Sequence, residues 1–176
     1  MEKFSKKHLS KFDIRFLKAQ RFQLSIIQNL AYTIWPISFK DILVQSQIDY
    51  MLNWMYSKSK LEENFGNGDD FYLLEIDNNF SGYMHIEYVS TEKVKIQKLY
   101  ILPSLHGHGF GKFMLNELLV SLKETYYKKL ELQVNRNNKA VHFYLNFGFE
   151  IVESKDFEIG NGYFMNDYIM HYHLNN

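Results

Sequence analysis

Two stretches of helical periodicity stand out in the first third of the chain. In the first, apolar residues follow the spacing i, i+3, i+4, i+7 at Ile27, Leu30, Ala31 and Ile34. This spacing predicts an amphipathic helix over 22–35, and Pro36 ends this helix or lies just beyond it. The second stretch begins near Ser46, and Asp49 three residues later completes the pattern of a capping box. Both helices are therefore expected to pack one apolar face against a core.

The period changes to that of strands after residue 70. Alternating aromatic and β-branched residues predict strands over 70–77 and 80–89, joined by a two-residue turn at Asn78-Asn79. A third strand is predicted over 94–102. It alternates at first and becomes continuously apolar from Leu99, which indicates a bulge at that point or burial of both faces.

The rest of the chain alternates between strands and helices. The predicted elements are a polar arm over 1–13, a strand over 14–18, a loop over 57–70 with a short helix at 61–64, a helix over 109–125, a strand over 129–135, a helix over 137–147 capped by Gly148, and strands over 149–159 and 163–174. The strand–helix–strand connection that begins at 94–102 should be right-handed and should pair its two strands in parallel.

Composition narrows the function classes. The 176 residues suit a single domain over 1–176, and 20 basic side chains balance 20 acidic ones. This balance argues against nucleic acid or an anionic membrane as the main partner. There is no cysteine, so disulfides and thiolate chemistry are excluded. No signal peptide or membrane-spanning run is evident, and we expect a cytoplasmic protein.

A glycine-rich loop is the strongest chemical signal. Gly107, Gly109 and Gly111 follow an apolar strand that ends at Pro103, and a helical pattern begins at once. Such a loop can place phosphate against a helix N-terminus. A Walker loop would need glycine where the chain has His106, and a dinucleotide fingerprint would need glycine at Lys112 or Met114. Both of these readings fail.

A third reading uses two motifs together. The loop reads His106-x-x-Gly109-x-Gly111, and Asn137-x-x-Ala140-x-x-Phe143-Tyr144-x-x-x-Gly148-Phe149 lies downstream across one helix and one strand. The pair resembles the GNAT (general N-acetyltransferase) family of acetyl-CoA-dependent enzymes. The family loop usually begins with Gln or Arg, and His106 departs mildly from it. The resemblance implies an α/β (α+β) fold with a mostly antiparallel mixed sheet of about seven strands, a splayed parallel pair, and helices on both faces.

The resemblance also implies a site and a reaction. Backbone groups of Leu99, Tyr100 and Ile101 would pair with the pantetheine of acetyl-CoA, and an N–H of this strand would stabilise the oxyanion. The loop residues would hold its pyrophosphate, with Lys112 at the helix start; these are His106, Gly107, His108, Gly109 and Gly111. Asn137 would contact the cofactor arm. An amine would attack the thioester directly, and Tyr144 would protonate the departing thiolate.

The general base is not evident in the sequence. Related enzymes commonly place a glutamate on the strand before the loop, where this chain has Lys95 and Gln97. Glu87 and His85 on the neighbouring strand are the substitutes, because alternation places both on one face. An inactive acyl-CoA-binding regulatory module is therefore a second hypothesis, motivated by the missing carboxylate.

Simpler interpretations stay open for several of these residues. Tyr144 fits a core aromatic position, Asn137 fits a helix N-cap, and Lys112 fits a solvated helix position. The His-x-His pairs at 106 and 171 lack further ligands, so we expect no metal site.

The acceptor is expected to be a small-molecule amine, with a protein or peptide amine as the alternative. Residues 14–57 and 162–170 also look like bacterial polyamine acetyltransferases of the same family. The aromatic residues of the last strand suggest a homodimer face; they are Tyr163, Phe164, Tyr168 and Tyr172.

Overall fold

The computed structural model describes residues 9–174 and forms the strands and helices largely where the periodicity predicts them. The strands are β1 (Ile14–Lys18), β2 (Asp70–Ile76), β3 (Asn79–Tyr88), β4 (Lys93–Ile101), β5 (Lys129–Asn135), β6 (Glu150–Gly160) and β7 (Tyr163–His173). The α-helices are α1 (Leu24–Ser38), α2 (Gln45–Met55), α3 (Lys58–Gly66), α4 (Phe110–Leu122) and α5 (Ala140–Phe147). Most of the expected arm over 1–13 lies outside the described residues.

The described strands form one mixed sheet in the order β1-β2-β3-β4-β5-β7-β6. β4 and β5 run parallel, with Lys93–Ile96 opposite Lys129–Leu132. The pairs β1–β2, β2–β3, β5–β7 and β6–β7 are antiparallel. The predicted fold class, a mostly antiparallel sheet of about seven strands with one parallel pair, is confirmed. The bulge expected near Leu99 stays a prediction.

The chain divides into two compact units. Within the described residues, the first comprises residues 9–86 and 98–121, and the second comprises residues 87–97 and 122–174. The boundary falls within the residues of β3 and β4, so each of these strands contributes to both units. The single-domain organisation expected from chain length stays a prediction.

Aromatic side chains fill the core of the first unit. Ile27, Ala31 and Ile34 of α1 are fully buried, which confirms the predicted apolar stripe. Trp35 packs against Phe39 and Tyr56, with ring centroids 4.6 and 5.6 Å away. Such ring pairs add to the free energy gained by burying apolar area.

The core of the second unit lies along β5 and α5. Leu130, Leu132 and Val134 of β5 are buried, as strict alternation predicts. Gly148 follows α5 with φ of 115°, so the predicted C-cap is confirmed. The aromatic ring of Tyr172 lies 3.2 Å from the position a Cβ at Gly148 would take.

Two predicted helix ends are wrong. Pro36 lies inside α1, which continues to Ser38. Proline removes the N–H that would bond the Tyr32 carbonyl, and its ring crowds that carbonyl, yet the helix runs two residues beyond it. The capping box at Ser46 is also absent, because α2 begins at Gln45 and its side-chain amide bonds Asp49 at 2.8 Å.

Other element limits shift by a few residues. The hairpin turn uses Asp77 and Asn78, whose φ angles are 49° and 63°, so the predicted turn is one residue late. The short helix predicted at 61–64 extends over α3 because Ser57 accepts a hydrogen bond from the Lys60 backbone N–H. α4 is shorter than predicted, and α5 begins at Ala140 rather than Asn137.

Candidate active site

The glycine loop joins the end of β4 to α4 within the first unit. A 3-10 turn over Pro103–Leu105 follows β4, and Gly107 and Gly109 then adopt φ angles of 82° and 90°. Glycine adopts these left-handed angles without the strain that other residues incur. The Phe113 N–H donates to the Gly109 carbonyl at 3.0 Å and closes the first turn of α4. The preceding N–H groups therefore form a helix N-terminus of the kind that binds anions.

Both histidines of the loop contact the rest of the chain, although His106 is exposed and His108 half-buried. His106 bonds the Ile101 carbonyl through its Nε2 at 3.0 Å. The His108 ring lies 5.9 Å from Phe12 and 6.0 Å from Phe110. His106 therefore braces the loop against the end of β4, a use of its side chain that the motif alone did not reveal.

The strand before the loop is held tightly against β3. The carbonyl of Tyr100 lies 2.7 Å from the position a Cβ at Gly82 would occupy, so glycine is required there. The Tyr100 ring packs on Trp35 and Tyr83, with centroids 5.6 Å away in both cases. Ile101 is buried, whereas Leu99 is half-buried and Lys112 is exposed.

A buried polar chain lies beside this strand, also in the first unit. His85 contacts Asp69 through Nε2 at 2.7 Å and Lys98 through Nδ1 at 3.1 Å. Its ring stacks on Phe71 at 4.2 Å. Only 2% of the surface of His85 and 5% of that of Lys98 is exposed. His85, a candidate base in the sequence, is thus already engaged by two charged side chains.

Tyr144 lies in α5 of the second unit. Its ring packs against Phe143 and Phe149, with centroids 5.1 and 5.5 Å away. Burial raises the pKa of Tyr144 well above its ordinary value. The hydroxyl therefore keeps its proton at neutral pH, which is the state a proton donor requires.

Asn137 is exposed in the turn between β5 and α5. Its backbone N–H donates to the side-chain oxygen of Asn135 at 3.0 Å. Just before the helix, the Asn138 side chain accepts from the Ala140 N–H at 2.9 Å, and the N-cap residue, Lys139, makes no side-chain cap bond. The Asn137 side chain is thus not needed as an N-cap. A shallow surface pocket of about 360 Å³ includes it, with Val141, His142 and Tyr168 among the lining residues.

Charged side chains share one sheet face of the second unit. Glu87 accepts a hydrogen bond from the side-chain amide of Gln97. Glu131 accepts from Lys93 at 3.0 Å and from His171 at 3.1 Å. Burial alone would raise the pKa of Glu131, but these two hydrogen bonds keep it below its ordinary value. Lys95 has a pKa lowered by burial, which the charges of Glu131 and Glu87 oppose.

The sequence reasoning overlooked Asp167 on β7. Only 4% of its surface is exposed, and its Oδ1 has no hydrogen-bond partner among the described residues. Burial raises its pKa to about 6, against the opposing charges of Arg136 and Lys95. The sequence signal for Asp167 was its position in the alternation of the strand, because it falls on the same face as the apolar residues Met165 and Ile169.

Within residues 9–174, no group of three or more His, Cys, Asp or Glu side chains could hold a metal ion. In the same range, no helix is long and apolar enough to cross a bilayer.

Comparison with protein families identifies a domain type. The family model described as "Acetyltransferase (GNAT) domain" matches residues 39–165. An uncharacterized N-acetyltransferase of Mycobacterium tuberculosis is 30% identical over 95 residues, which cover 53% of this chain and 60% of that relative. The aligned part of this chain thus spans about 60% of the length of the curated relative.

Solved structures share the fold. The PaiA N-acetyltransferase of Thermoplasma acidophilum, in complex with coenzyme A, superposes with a TM-score of 0.77 at 22% identity, covering 90% of this chain and 98% of that one. The spermidine/spermine N-acetyltransferase SpeG of Vibrio cholerae superposes with a TM-score of 0.64 at 20% identity, covering 92% and 95%. At these identities the likeness is one of fold.

Proposed function

The chain belongs to the GNAT acetyltransferase family, and on that premise we propose that it transfers an acetyl group from acetyl-CoA to a primary amine of a small molecule. The reaction is direct. The amine nitrogen forms a bond to the thioester carbonyl carbon, the C–S bond breaks, and the coenzyme A thiolate takes up a proton.

The loop between β4 and α4 is the observation that carries this proposal. Two glycines with left-handed φ angles turn the backbone into the start of α4. The His106 N–H already donates to the Pro103 carbonyl at 3.2 Å, so the N–H groups from Gly107 to Lys112 are the donors we propose for the pyrophosphate, which needs several donors at once and no side chain. The bond from His106 to the Ile101 carbonyl fixes the loop before the cosubstrate arrives.

The remaining roles follow the chemistry of the thioester. Backbone groups of Leu99, Tyr100 and Ile101 pair with the pantetheine, and one of their N–H groups stabilises the oxyanion, an interaction type that contributes roughly 3–4 kcal/mol. Asn137 contacts the cofactor arm. Tyr144 donates the proton to the thiolate.

The acceptor's proton needs a separate base. Glu87 is the base candidate that the sequence offers. Its carboxylate already accepts a hydrogen bond from Gln97, which leaves it other lone pairs for a proton or a water.

Polyamines are the acceptor class we favour. The family membership does not distinguish a polyamine from a peptide amine. What supports polyamines is the likeness of residues 14–57 and 162–170 to polyamine acetyltransferases.

We also propose a homodimer through the aromatic residues of β7, which light scattering at micromolar concentrations tests. Phe164 is exposed, whereas Tyr172 packs against Phe147 and Phe149 of its own chain and is not part of that surface.

Thiol release from acetyl-CoA is the direct test. Because the chain has no cysteine, a thiol reagent reports only free coenzyme A. Spermidine, butylamine, an aminoglycoside, a free amino acid and a peptide with a free N-terminus are supplied in turn, and acetyl-CoA binding is measured separately by calorimetry.

Each outcome has a distinct meaning. Release that depends on spermidine supports the full proposal, and release with the peptide alone assigns a peptide acceptor instead. Saturable acetyl-CoA binding without release from any amine favours the regulatory module. Absence of acetyl-CoA binding overturns the proposal altogether.

A further inference from the structure

The second unit carries a polar face around the place where a base is missing. Strand register sets this face. Lys95 pairs with Glu131 across β4 and β5, and Asn135 pairs with Asp167 across β5 and β7. Because side chains alternate along a strand, Glu131 and Asn135 project to one side of the sheet, together with their partners Lys95 and Asp167.

Asp167 differs from the other carboxylates of this face. Glu87 and Glu131 each accept side-chain hydrogen bonds. Asp167 is 96% buried, since 4% of its surface is exposed, and its Oδ1 accepts no hydrogen bond from any described residue. A buried acceptor without a donor costs free energy, and native proteins retain few of them.

The neighbours of Asp167 do not satisfy it. The Asn135 side-chain oxygen accepts from the Asn137 backbone. Arg136 is used elsewhere, since its guanidinium bonds Ser154 at 2.8 Å and also Asp156. Lys155 stands opposite Asp167 in the β6–β7 register and is exposed.

The electrostatics of this position suit an arriving cation. Burial raises the pKa of Asp167 to about 6, so the group is ionised at pH 7.5 and can still accept a proton. The charges that act on it are Arg136 at the end of β5 and Lys95 on β4. Burial also lowers the pKa of Lys95, and the charges of Glu131 and Glu87 oppose this shift.

Resting on the proposed acetyl transfer, we propose that the Asp167 side chain turns its enclosed, unpartnered Oδ1 toward the acceptor, binds the acceptor's primary ammonium group and takes the proton that must leave before attack. The N–H bond to this proton breaks and an O–H bond forms on Asp167. The nitrogen lone pair then attacks the thioester carbonyl, the C–S bond breaks, and Tyr144 protonates the thiolate. Solvent later removes the proton from Asp167.

The primary test is the pH dependence of kcat/KM for the amine in Asp167→Asn. Asparagine keeps the shape and polarity of the side chain but removes its charge and its basicity. We expect the wild-type rate to fall below about pH 6, and the variant to lose at least 100-fold at pH 7.5 together with that acidic limb. The affinity for acetyl-CoA should not change. Glu153→Gln, an exposed carboxylate on β6, is the matched control and should behave as wild type.

Glu87→Gln separates the two base candidates. If this variant loses the acidic limb while Asp167→Asn retains it, the assignment to Asp167 is overturned. It is equally overturned if Asp167→Asn loses rate only through weaker acetyl-CoA binding, because the residue would then be structural.

A binding readout keeps this proposal distinguishable from the function it rests on. Butylamine is titrated calorimetrically into the protein loaded with coenzyme A, with butanol as the uncharged control. If wild type turns over no amine, the proposed reaction fails, but butylamine binding that Asp167→Asn abolishes still supports the ammonium site. Equal binding by both proteins, or none by wild type, overturns it.

Discussion

Tyr144 is held within aromatic rings, and its role can be separated from its packing. Removing only the hydroxyl in Tyr144→Phe leaves the contacts with Phe143 and Phe149 in place. If Tyr144 is the proton donor, turnover should fall by about 100-fold or more while acetyl-CoA binding stays the same. Steady-state kinetics and calorimetry on the same samples measure the two quantities. Tyr126→Phe, at a tyrosine with 91% of its surface exposed, is the control, and unchanged turnover in Tyr144→Phe would remove this residue from the mechanism.

A second prediction for Asp167 concerns the stability of the folded protein rather than the reaction rate. Its pKa rises from 3.8 to about 6 on folding, so the folded protein binds this proton more tightly than the unfolded chain. The stabilisation that this tighter proton binding gives the folded protein is complete below the pKa of Asp167 in the unfolded chain. It is lost as the pH rises through about 6. Between pH 4 and pH 8, the free energy of unfolding of wild type should fall relative to Asp167→Asn by on the order of 2–3 kcal/mol.

Urea unfolding at a series of pH values measures this difference. Asp167→Asn should have lost activity, yet its stability relative to wild type should increase as the pH rises. A constant difference between the two proteins across the range would show that Asp167 has the same pKa in the folded protein and in the unfolded chain. The raised pKa of the buried carboxylate would then have no support.

Buried hydroxyls connect α1, the end of α2 and β3. The indole N–H of Trp35 donates to the Tyr56 hydroxyl at 3.0 Å, and the Tyr83 hydroxyl donates to it at 2.8 Å. Tyr56→Phe leaves both donors buried without this acceptor, so the free energy of unfolding should fall by about 1–3 kcal/mol. Chemical denaturation measures it, with the exposed Tyr126→Phe as the reference. A loss no larger than that of the reference would mean that water or another group replaces the hydroxyl.

The contact between β3 and β4 makes a glycine indispensable. In Gly82→Ala, the new Cβ would lie 2.7 Å from the Tyr100 carbonyl and 3.3 Å from the Ile101 Cα. Both are backbone atoms, so one strand must move, and we expect a loss of about 1–3 kcal/mol in the free energy of unfolding. At Gly66 an added Cβ meets nothing within 4 Å. Gly66→Ala is therefore the matched control, and equal effects of the two changes would contradict the close packing of these strands.

Helices and strands could be predicted because their apolar residues repeat at distinct periods. The stripe of α1 and the alternation of β5 are both buried as expected. Element ends were harder to predict, since they depend on local hydrogen bonds. The start of α5 shows this, because the sequence offers two adjacent asparagines, yet the N-cap residue is Lys139 and the Ala140 N–H bonds the side chain of Asn138.

The candidate site was predictable only in part for a related reason. Motif spacing identifies the glycine loop because backbone conformation there requires glycine. A side chain's partners come from distant strands and leave no local pattern. The engagement of His85 by Asp69 and Lys98 joins residues 16 and 13 positions apart. The isolation of Asp167 depends on Arg136 bonding other groups, which alternation along β7 cannot indicate.

At the scale of the whole molecule, a direct test can show whether the two compact units unfold together. Both tryptophans of the chain, Trp35 and Trp54, belong to the first unit. Tryptophan fluorescence therefore reports on that unit, whereas far-ultraviolet circular dichroism reports on the helices and strands of both. This test does not address cosubstrate binding or homodimer formation. It therefore uses the chain without acetyl-CoA, at a fixed low concentration.

The expected single domain over 1–176 should unfold in one step. β3 and β4 each contribute residues to both units, so neither unit can unfold without disrupting strands that the other also uses. The fluorescence and circular dichroism transitions in urea should then share one midpoint and one slope, as two-state unfolding requires. Asp167→Asn lies in the second unit, and under this expectation it should shift the fluorescence midpoint as much as the circular dichroism midpoint. A shift confined to circular dichroism would mean that the units unfold independently.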